Sequence, residues 1–351
     1  MRLITYSRHG QERVGTWIDN DRQVVDLALA AQLIDGKPPA AFSSMQALID
    51  AGAEYWQRAK ALTDGPPEKA VFSTKECTLL APLPVPASIR DFLCFPSHLV
   101  GAARVVGERK VKAAADPEKM RSELTAAGAF DIPKGYYDFP LYYIGNRAAV
   151  FGSDVDITWP AYSSYIDYEL EWAAVIGKKG AQISKENARS HIFGYTIFND
   201  WSARDEQMKV MGGVLNLGPG QGKDFANGFG PCIVTADEIP DPYNLSMKAR
   251  INGVEVSSGS TSSMHYKFED LIVYLTRGNS LLPGELLGSG TVGGGCSIET
   301  GRAVSPDDVI ELEVQGIGVL RNRVVAPHLQ SKQSAGSSEE MFSNMSKVVR
   351  K

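Results

Sequence analysis

The first eighty residues alternate in a way that predicts a small β unit. Leu3-Ile4-Thr5-Tyr6 and Val14-Gly15-Thr16-Trp17-Ile18 are rich in β-branched and aromatic residues, and Asp19-Asn20-Asp21 is turn chemistry leading into Val24-Val25-Asp26-Leu27. Two stretches, Leu27 to Leu33 and Met45 to Leu62, read as short helices. Leu80-Ala81-Pro82-Leu83-Pro84-Val85-Pro86 reads as a connector, because prolines lack the donor a central strand needs. Ile89-Arg90-Asp91-Phe92-Leu93-Cys94 then reads as a strand. Ser97 is placed to cap a helix running from His98 through Val106. Residues 108–138 are rich in Lys, Glu, Ala and Gly and read as a charged, mobile excursion, a candidate lid. From Tyr142 to about Arg323 the pattern is short strands and glycine turns, as in Gly230-Pro231-Cys232-Ile233-Val234 and Val309-Ile310-Glu311-Leu312-Glu313-Val314, with one helix from Phe268 to Thr276. The expected division is a small β domain over 1–80, a mostly-β main domain with a few helices over 81–329, and a polar tail over 330–351.

Within that pattern one spacing carries chemistry. Glu169 and Glu171 are two apart in Asp-Tyr-Glu-Leu-Glu-Trp-Ala-Ala-Val-Ile-Gly, where Leu170, Trp172, Val175 and Ile176 mark a strand. Strand side chains alternate faces, so the two carboxylates point the same way. Such a pair is costly to bury unless something positive lies between them. Asp200 follows in Ile-Phe-Asn-Asp-Trp-Ser-Ala-Arg-Asp. Several carboxylates without His or Cys partners suit a hard divalent cation such as Mg²⁺, Mn²⁺ or Ca²⁺. The bland reading of a lone Glu-x-Glu is a solvated edge strand.

Composition narrows the partners. The 351 residues are 43% hydrophobic and 22% charged, with a formal net charge of -5, which gives no footprint for nucleic acid or an anionic membrane. No apolar run approaches the ~20 residues of a spanning helix, and Met-Arg-Leu-Ile-Thr-Tyr-Ser lacks the apolar core of a signal peptide. Cys77, Cys94, Cys232 and Cys296 have no paired spacing, so buried inert thiols in a reducing cytoplasm are expected. The glycine run from Gly288 to Gly295 lacks the Lys-Ser/Thr ending of a phosphate loop and reads as a tight loop near a substrate.

Taken in order, Asp91 and His98 seven apart, Glu169-Leu170-Glu171, Asn199-Asp200-Trp201-Ser202-Ala203-Arg204-Asp205-Glu206-Gln207, Gly222-Lys223-Asp224, Gly290-Thr291 and Ile310-Glu311-Leu312-Glu313 resemble the fumarylacetoacetate hydrolase family over residues 80–325. The resemblance implies a mixed β-roll catalytic domain, an SH3-like N-terminal β domain and a homodimer. It places the metal ligands at Asp91, Glu169, Glu171 and Asp200. It places substrate-facing polar groups at Arg204, Gln207 and Lys223, a water-activating pair at His98 and Glu311, and substrate contacts at Tyr143 and Thr291. The stretch Tyr142-Tyr143-Ile144-Gly145-Asn146-Arg147 stands where longer members carry Tyr-His-Gly-Arg.

The chemistry this implies is metal-dependent cleavage of a carbon–carbon bond in a small 2,4-dioxo or 3-oxo acid. A histidine polarised by a carboxylate would activate water, and the metal would stabilise the departing enolate. Lys223, Arg204 and Gln207 would donate to the developing oxyanion. A 2-oxo acid isomerase, decarboxylase or dehydratase uses the same metal and enolate without attack by water. A non-catalytic metal-stabilised scaffold is the third reading. For Glu311 the competing reading is an exposed glutamate ladder with Glu313 on the same strand face.

Overall fold

The computed structural model describes residues 1–133, 135–211 and 218–329. The expected polar tail at 330–351 lies outside the described residues. The architecture is mixed α/β and mostly sheet. A large sheet has the strand order Val71–Ser73, Gln23–Asp26, Gln11–Ile18, Arg2–Arg8, Asn227–Thr235, Ile192–Asp200, Leu170–Ile176, Glu285–Gly288, Ser88–Phe92, Tyr142–Gly145. A second sheet joins Val254–Ser260, Ser246–Ile251, Val309–Val314, Gly318–Val325 and Ile157–Thr158.

Leu170–Ile176 is the buried spine. Leu170, Trp172, Ala174 and Ile176 enter one apolar cluster, which also holds Tyr195, Phe268 and Met247. Ala173 and Val175 point the other way, into a cluster with Leu3, Ile89, Phe198 and Phe229. That period of two is the strand signature expected from the sequence. It also puts Glu171 on the Ala173/Val175 face.

The N-terminal strands do not stop at a boundary. Arg2 and Leu3 pair with Val234 and Ile233, and the Met1 ammonium donates to Thr235 Oγ1 at 2.6 Å. Leu3, Val14 and Val25 share a core with Ile89 and Ala173. Residues 1–80 therefore extend the main sheet, and these pairings do not by themselves make an SH3-like barrel. The expected helix from Met45 to Leu62 divides into Met45–Asp50 and Ala53–Asp64. Gly52 separates them at φ +75°, a backbone conformation that breaks a helix.

The first part of the charged excursion, through Ala126, is largely helical. Pro96–Ala113 starts one residue before the expected Ser97 cap, with Pro96 in its first turn. Pro117–Ala126 follows, capped by Asp116 accepting from the Lys119 N–H at 3.0 Å. Among the described residues no helix is long and apolar enough to cross a membrane.

Candidate metal centre and active site

Sheet register gathers the chemistry at one edge. Asp91, near the end of Ser88–Phe92, is level with Gly288 on one side and Tyr143 on the other. Gly288 is level with Ala173, and Glu171 is level with Phe198, two residues before Asp200. Four strands thus present Asp91, Tyr143, Glu171 and Asp200 at the same end of the sheet. The loop after Gly288 crosses this end. Gly290, at φ +75°, leaves no room for a Cβ against the Phe92 carbonyl, and its N–H donates to Asp91 Oδ1 at 3.3 Å.

Asp91, Glu171 and Asp200 offer carboxylate oxygens that all lie within 4.8 Å of one another, and all three are buried. Thr291 Oγ1 donates to Glu171 Oε1 at 3.3 Å. Among the described residues, Glu171 Oε2 and Asp200 Oδ1 have no hydrogen-bond partner. The Tyr143 hydroxyl lies against Asp200 without meeting hydrogen-bond geometry. Burial, and then Asp91 and Asp200, push the Glu171 carboxyl well above its ordinary value. Burial and Asp200 do the same to Asp91. Asp200 is raised to about 6, with burial the larger cause and Lys223 opposing it. Three buried carboxylates, two of them with an orphaned oxygen, and one neighbouring ammonium are a donor set that fits a hard divalent cation.

Glu169 stands beside this trio in a different state. Arg204 Nη2 donates to its Oε1 at 2.8 Å, and Lys223 Nζ bridges its Oε2 to Asp200 Oδ2. Burial would raise the Glu169 carboxyl, but Arg204 and Lys223 overcome it and hold the pKa below the usual range. Asp167 fixes Arg204 from behind, accepting from Nε at 2.8 Å. Gln207, one helical turn on, accepts from Nη1 at 3.0 Å. Of the four expected ligands, three converge as a cluster, and the fourth is already paired with two cations.

His98, in the first turn of Pro96–Ala113, faces Glu169 with Nε2 4.0 Å from Oε1. Its Nδ1 lies 2.7 Å from Glu299 Oε2. The Gly294 N–H fixes the other Glu299 oxygen at 3.0 Å. Gly101, one turn beyond His98, has no side chain to obstruct the Glu299 carboxylate. Glu311 is elsewhere, which corrects its expected pairing with His98. It lies on the half-exposed face of Val309–Val314, level with Arg250 and Arg321. Its Oε1 is 3.8 Å from Arg321 Nε. The alternating strand turns it away from the buried core, in the ladder arrangement with Glu313. The residue missed in the sequence is Glu299, 201 positions from His98.

Two expected outcomes follow from these electrostatics. In metal-free protein, the stabilisation from protonated Asp200 is complete below the ordinary value of 3.8 and is lost as pH rises through about 6. A cation needs the ionised form, so Mg²⁺ should raise the melting temperature little at low pH and increasingly above about 6. Melting curves with and without Mg²⁺ across this range check it, and an increment independent of pH would rule it out. Separately, Lys223→Met should destabilise the metal-free protein by about 3–5 kcal/mol, because it strands Asp200 and half of Glu169. Mg²⁺ should restore part of that loss in denaturant titrations.

The fumarylacetoacetate (FAA) hydrolase C-terminal family matches residues 111–325. The mitochondrial oxaloacetate tautomerase FAHD2A of Homo sapiens is 35% identical over 187 residues, which is 53% of this chain and 59% of that protein. The mitochondrial oxaloacetate tautomerase fahd2 of Xenopus laevis is 29% identical over 328 residues, 93% of this chain and 90% of that protein. The solved fumarylacetoacetate hydrolase of Exiguobacterium antarcticum has the same fold, with TM-score 0.68 and 24% identity, covering 93% of this chain and 99% of that one. Since the family match spans more than half of the sequence, this chain belongs to the fumarylacetoacetate hydrolase family.

Proposed function

We propose that the protein is a metal-dependent hydrolase that cleaves a carbon–carbon bond in a small 2,4-dioxo or 3-oxo acid, of fumarylacetoacetate or acylpyruvate type. The observation that carries this reading is the buried trio Asp91, Glu171 and Asp200 beside a histidine whose Nδ1 is held by Glu299. The trio, with Glu169 next to it, would hold the cation, with Mg²⁺ the first choice and Mn²⁺ or Ca²⁺ the alternatives. A divalent ion in that position supplies Lewis-acid polarisation of substrate oxygens.

The chain's own residues do the rest. Glu299 accepts from the Nδ1–H of His98, which leaves the lone pair on Nε2, on the side facing Glu169. That nitrogen can take a proton from water as the water attacks a carbonyl. Lys223 carries a positive charge that Asp200 and Glu169 reinforce against the effect of burial, and it donates to oxygen that becomes negative. Arg204 supports it from the Glu169 side. Gln207, with its carbonyl oxygen engaged by Arg204, has its N–H₂ left to donate. Tyr143 and Thr291 border the trio and would contact substrate.

A second reading has its own support in the relatives named as oxaloacetate tautomerases, one of them aligned over 93% of this chain. In that reaction His98 Nε2 would take the proton from the carbon beside the carbonyl rather than from water. Isomerase, decarboxylase and dehydratase activities likewise need no attack by water. The test is turnover of acylpyruvates, fumarylacetoacetate-like acids and enol-oxaloacetate, with Mg²⁺ or Mn²⁺ and with chelator. Two acid products in a chelator-sensitive reaction support the hydrolase. Keto–enol exchange without cleavage replaces it with the second reading, and no turnover with metal bound removes both.

The same proposal includes a homodimer in a reducing cytoplasm. Tyr142 and Ile144 on the last strand of the large sheet, and Leu141 just before it, are exposed, an apolar edge that a second copy would cover. All four cysteines are free.

A further inference from the structure

We propose that His98, Cys296 and Glu299 form a second cation site, one that takes a thiophilic divalent ion such as zinc, and that filling it shuts off turnover. The second half of this proposal rests on His98 acting as the base. The first half stands without it.

A ring nitrogen of His98, Cys296 Sγ and a Glu299 oxygen all lie within 4.8 Å of one another, and Nδ1 is the nitrogen turned to Glu299. Nδ1 and Oε2 are 2.7 Å apart, and Sγ and Oε2 are 3.4 Å apart. Zinc bonds of about 2.0–2.3 Å in a tetrahedron put neighbouring donor atoms roughly 3.3–3.8 Å apart. The two contacts through Glu299 therefore need only a small widening. The donors come from two elements locked together: the first turn of Pro96–Ala113 and the short turn Ser297–Thr300 with its flanking Cys296. Gly101 lets them approach. Three protein donors leave a fourth position for water, as in open zinc sites.

The donor chemistry separates this site from the carboxylate trio. The trio offers oxygen alone and suits a hard ion. A nitrogen, sulfur and oxygen set discriminates against Mg²⁺ and favours zinc. Binding converts the Cys296 thiol to a coordinated thiolate and releases one proton to solvent, with no redox change.

The effect on catalysis follows from the histidine tautomer. With Nδ1–H donated to Glu299, the lone pair is on Nε2. Zinc takes the lone pair of Nδ1, so the neutral ring must carry its hydrogen on Nε2. The nitrogen facing Glu169 then becomes a donor and can no longer accept a proton. Zinc would also take Glu299 away from the ring.

The experiment uses the full chain saturated with Mg²⁺, in a phosphine reductant, titrated with Co²⁺ followed optically and with Zn²⁺ followed by turnover. The expected result is an ultraviolet thiolate-to-cobalt band that saturates at one equivalent and is absent in Cys296→Ser. The parent should lose most of its turnover to zinc, and the Cys296→Ser variant should retain its own uninhibited rate. If the variant fails to fold, zinc-edge absorption on the parent decides, with a sulfur neighbour at about 2.3 Å expected. Absence of both the cobalt band and the sulfur neighbour overturns the site. A cobalt band with zinc-insensitive turnover supports the site and overturns the role of His98 as base.

Discussion

In Glu171→Gln, Mg²⁺-dependent turnover should fall by at least about 100-fold, because outer partners of metal ligands already cost 10–100-fold when removed. The metal-free variant should melt no lower than the parent. The two effects have opposite signs for one reason. Glu171 is fully buried and has Thr291 as its hydrogen-bond donor, while Asp91 and Asp200 press like charge against it. Among the described residues no cation is paired with it, unlike Glu169, which has Arg204 and Lys223. Glutamine keeps the shape, accepts from Thr291 and removes a charge that the fold disfavours. A carboxylate kept at such a position has its value in binding a cation. Calorimetric Mg²⁺ titration with paired melting curves checks both signs. A variant that melts lower yet keeps its full Mg²⁺ response would make Glu171 structural and remove it from the metal centre.

This contrast between neighbouring glutamates bears on what a sequence can reveal. The two-residue spacing placed Glu169 and Glu171 on one face of a strand, and both are buried at one edge of the sheet. Their different partners are set by Lys223 and Arg204, which arrive from the Gly220–Lys223 and Arg204–Met211 turns and helix. Local periodicity carries no record of that. The extent of the Pro96–Ala113 and Pro117–Ala126 helices was obscured because charged, Ala-rich and Gly-containing sequence reads equally as helix or linker. Their order comes from tertiary contacts such as the Glu108–Arg121 pair. Continuity of the N-terminal strands with the main sheet depends on Arg2 and Leu3 pairing with Val234 and Ile233, far along the chain. The proline connector at 80–86 concealed that pairing.

Glu299 shows the same limit, and one faint signal that could have found it. Glycine inside a helix costs about 1 kcal/mol relative to alanine, so Gly101 one turn after His98 marks a face that something approaches closely. What approaches is the Glu299 carboxylate. Glu311, by contrast, has only motif order behind it. Its strand alternates, and Arg250 and Arg321 flank it in register.

Those two glutamates support the second large prediction. His98→Gln should lower turnover by about 10²–10⁴-fold while leaving the Mg²⁺-induced rise in melting temperature intact, since His98 is not among the three clustered carboxylates. Glu299→Gln should fall in the same range. An amide there no longer requires hydrogen on Nδ1, so Nε2 is no longer reserved as the acceptor. It should also change the pH–rate profile, which a purely structural loss would not. Glu311→Gln should stay within about twofold of the parent, as expected for one member of a half-exposed ion pair. Comparing kcat across pH for the three variants separates the alternatives. Equal losses in Glu299→Gln and Glu311→Gln would break the link between the observed His98 contact and catalysis. A loss confined to Glu311→Gln would restore the pairing expected from motif order and require the two sheets to close on each other during turnover.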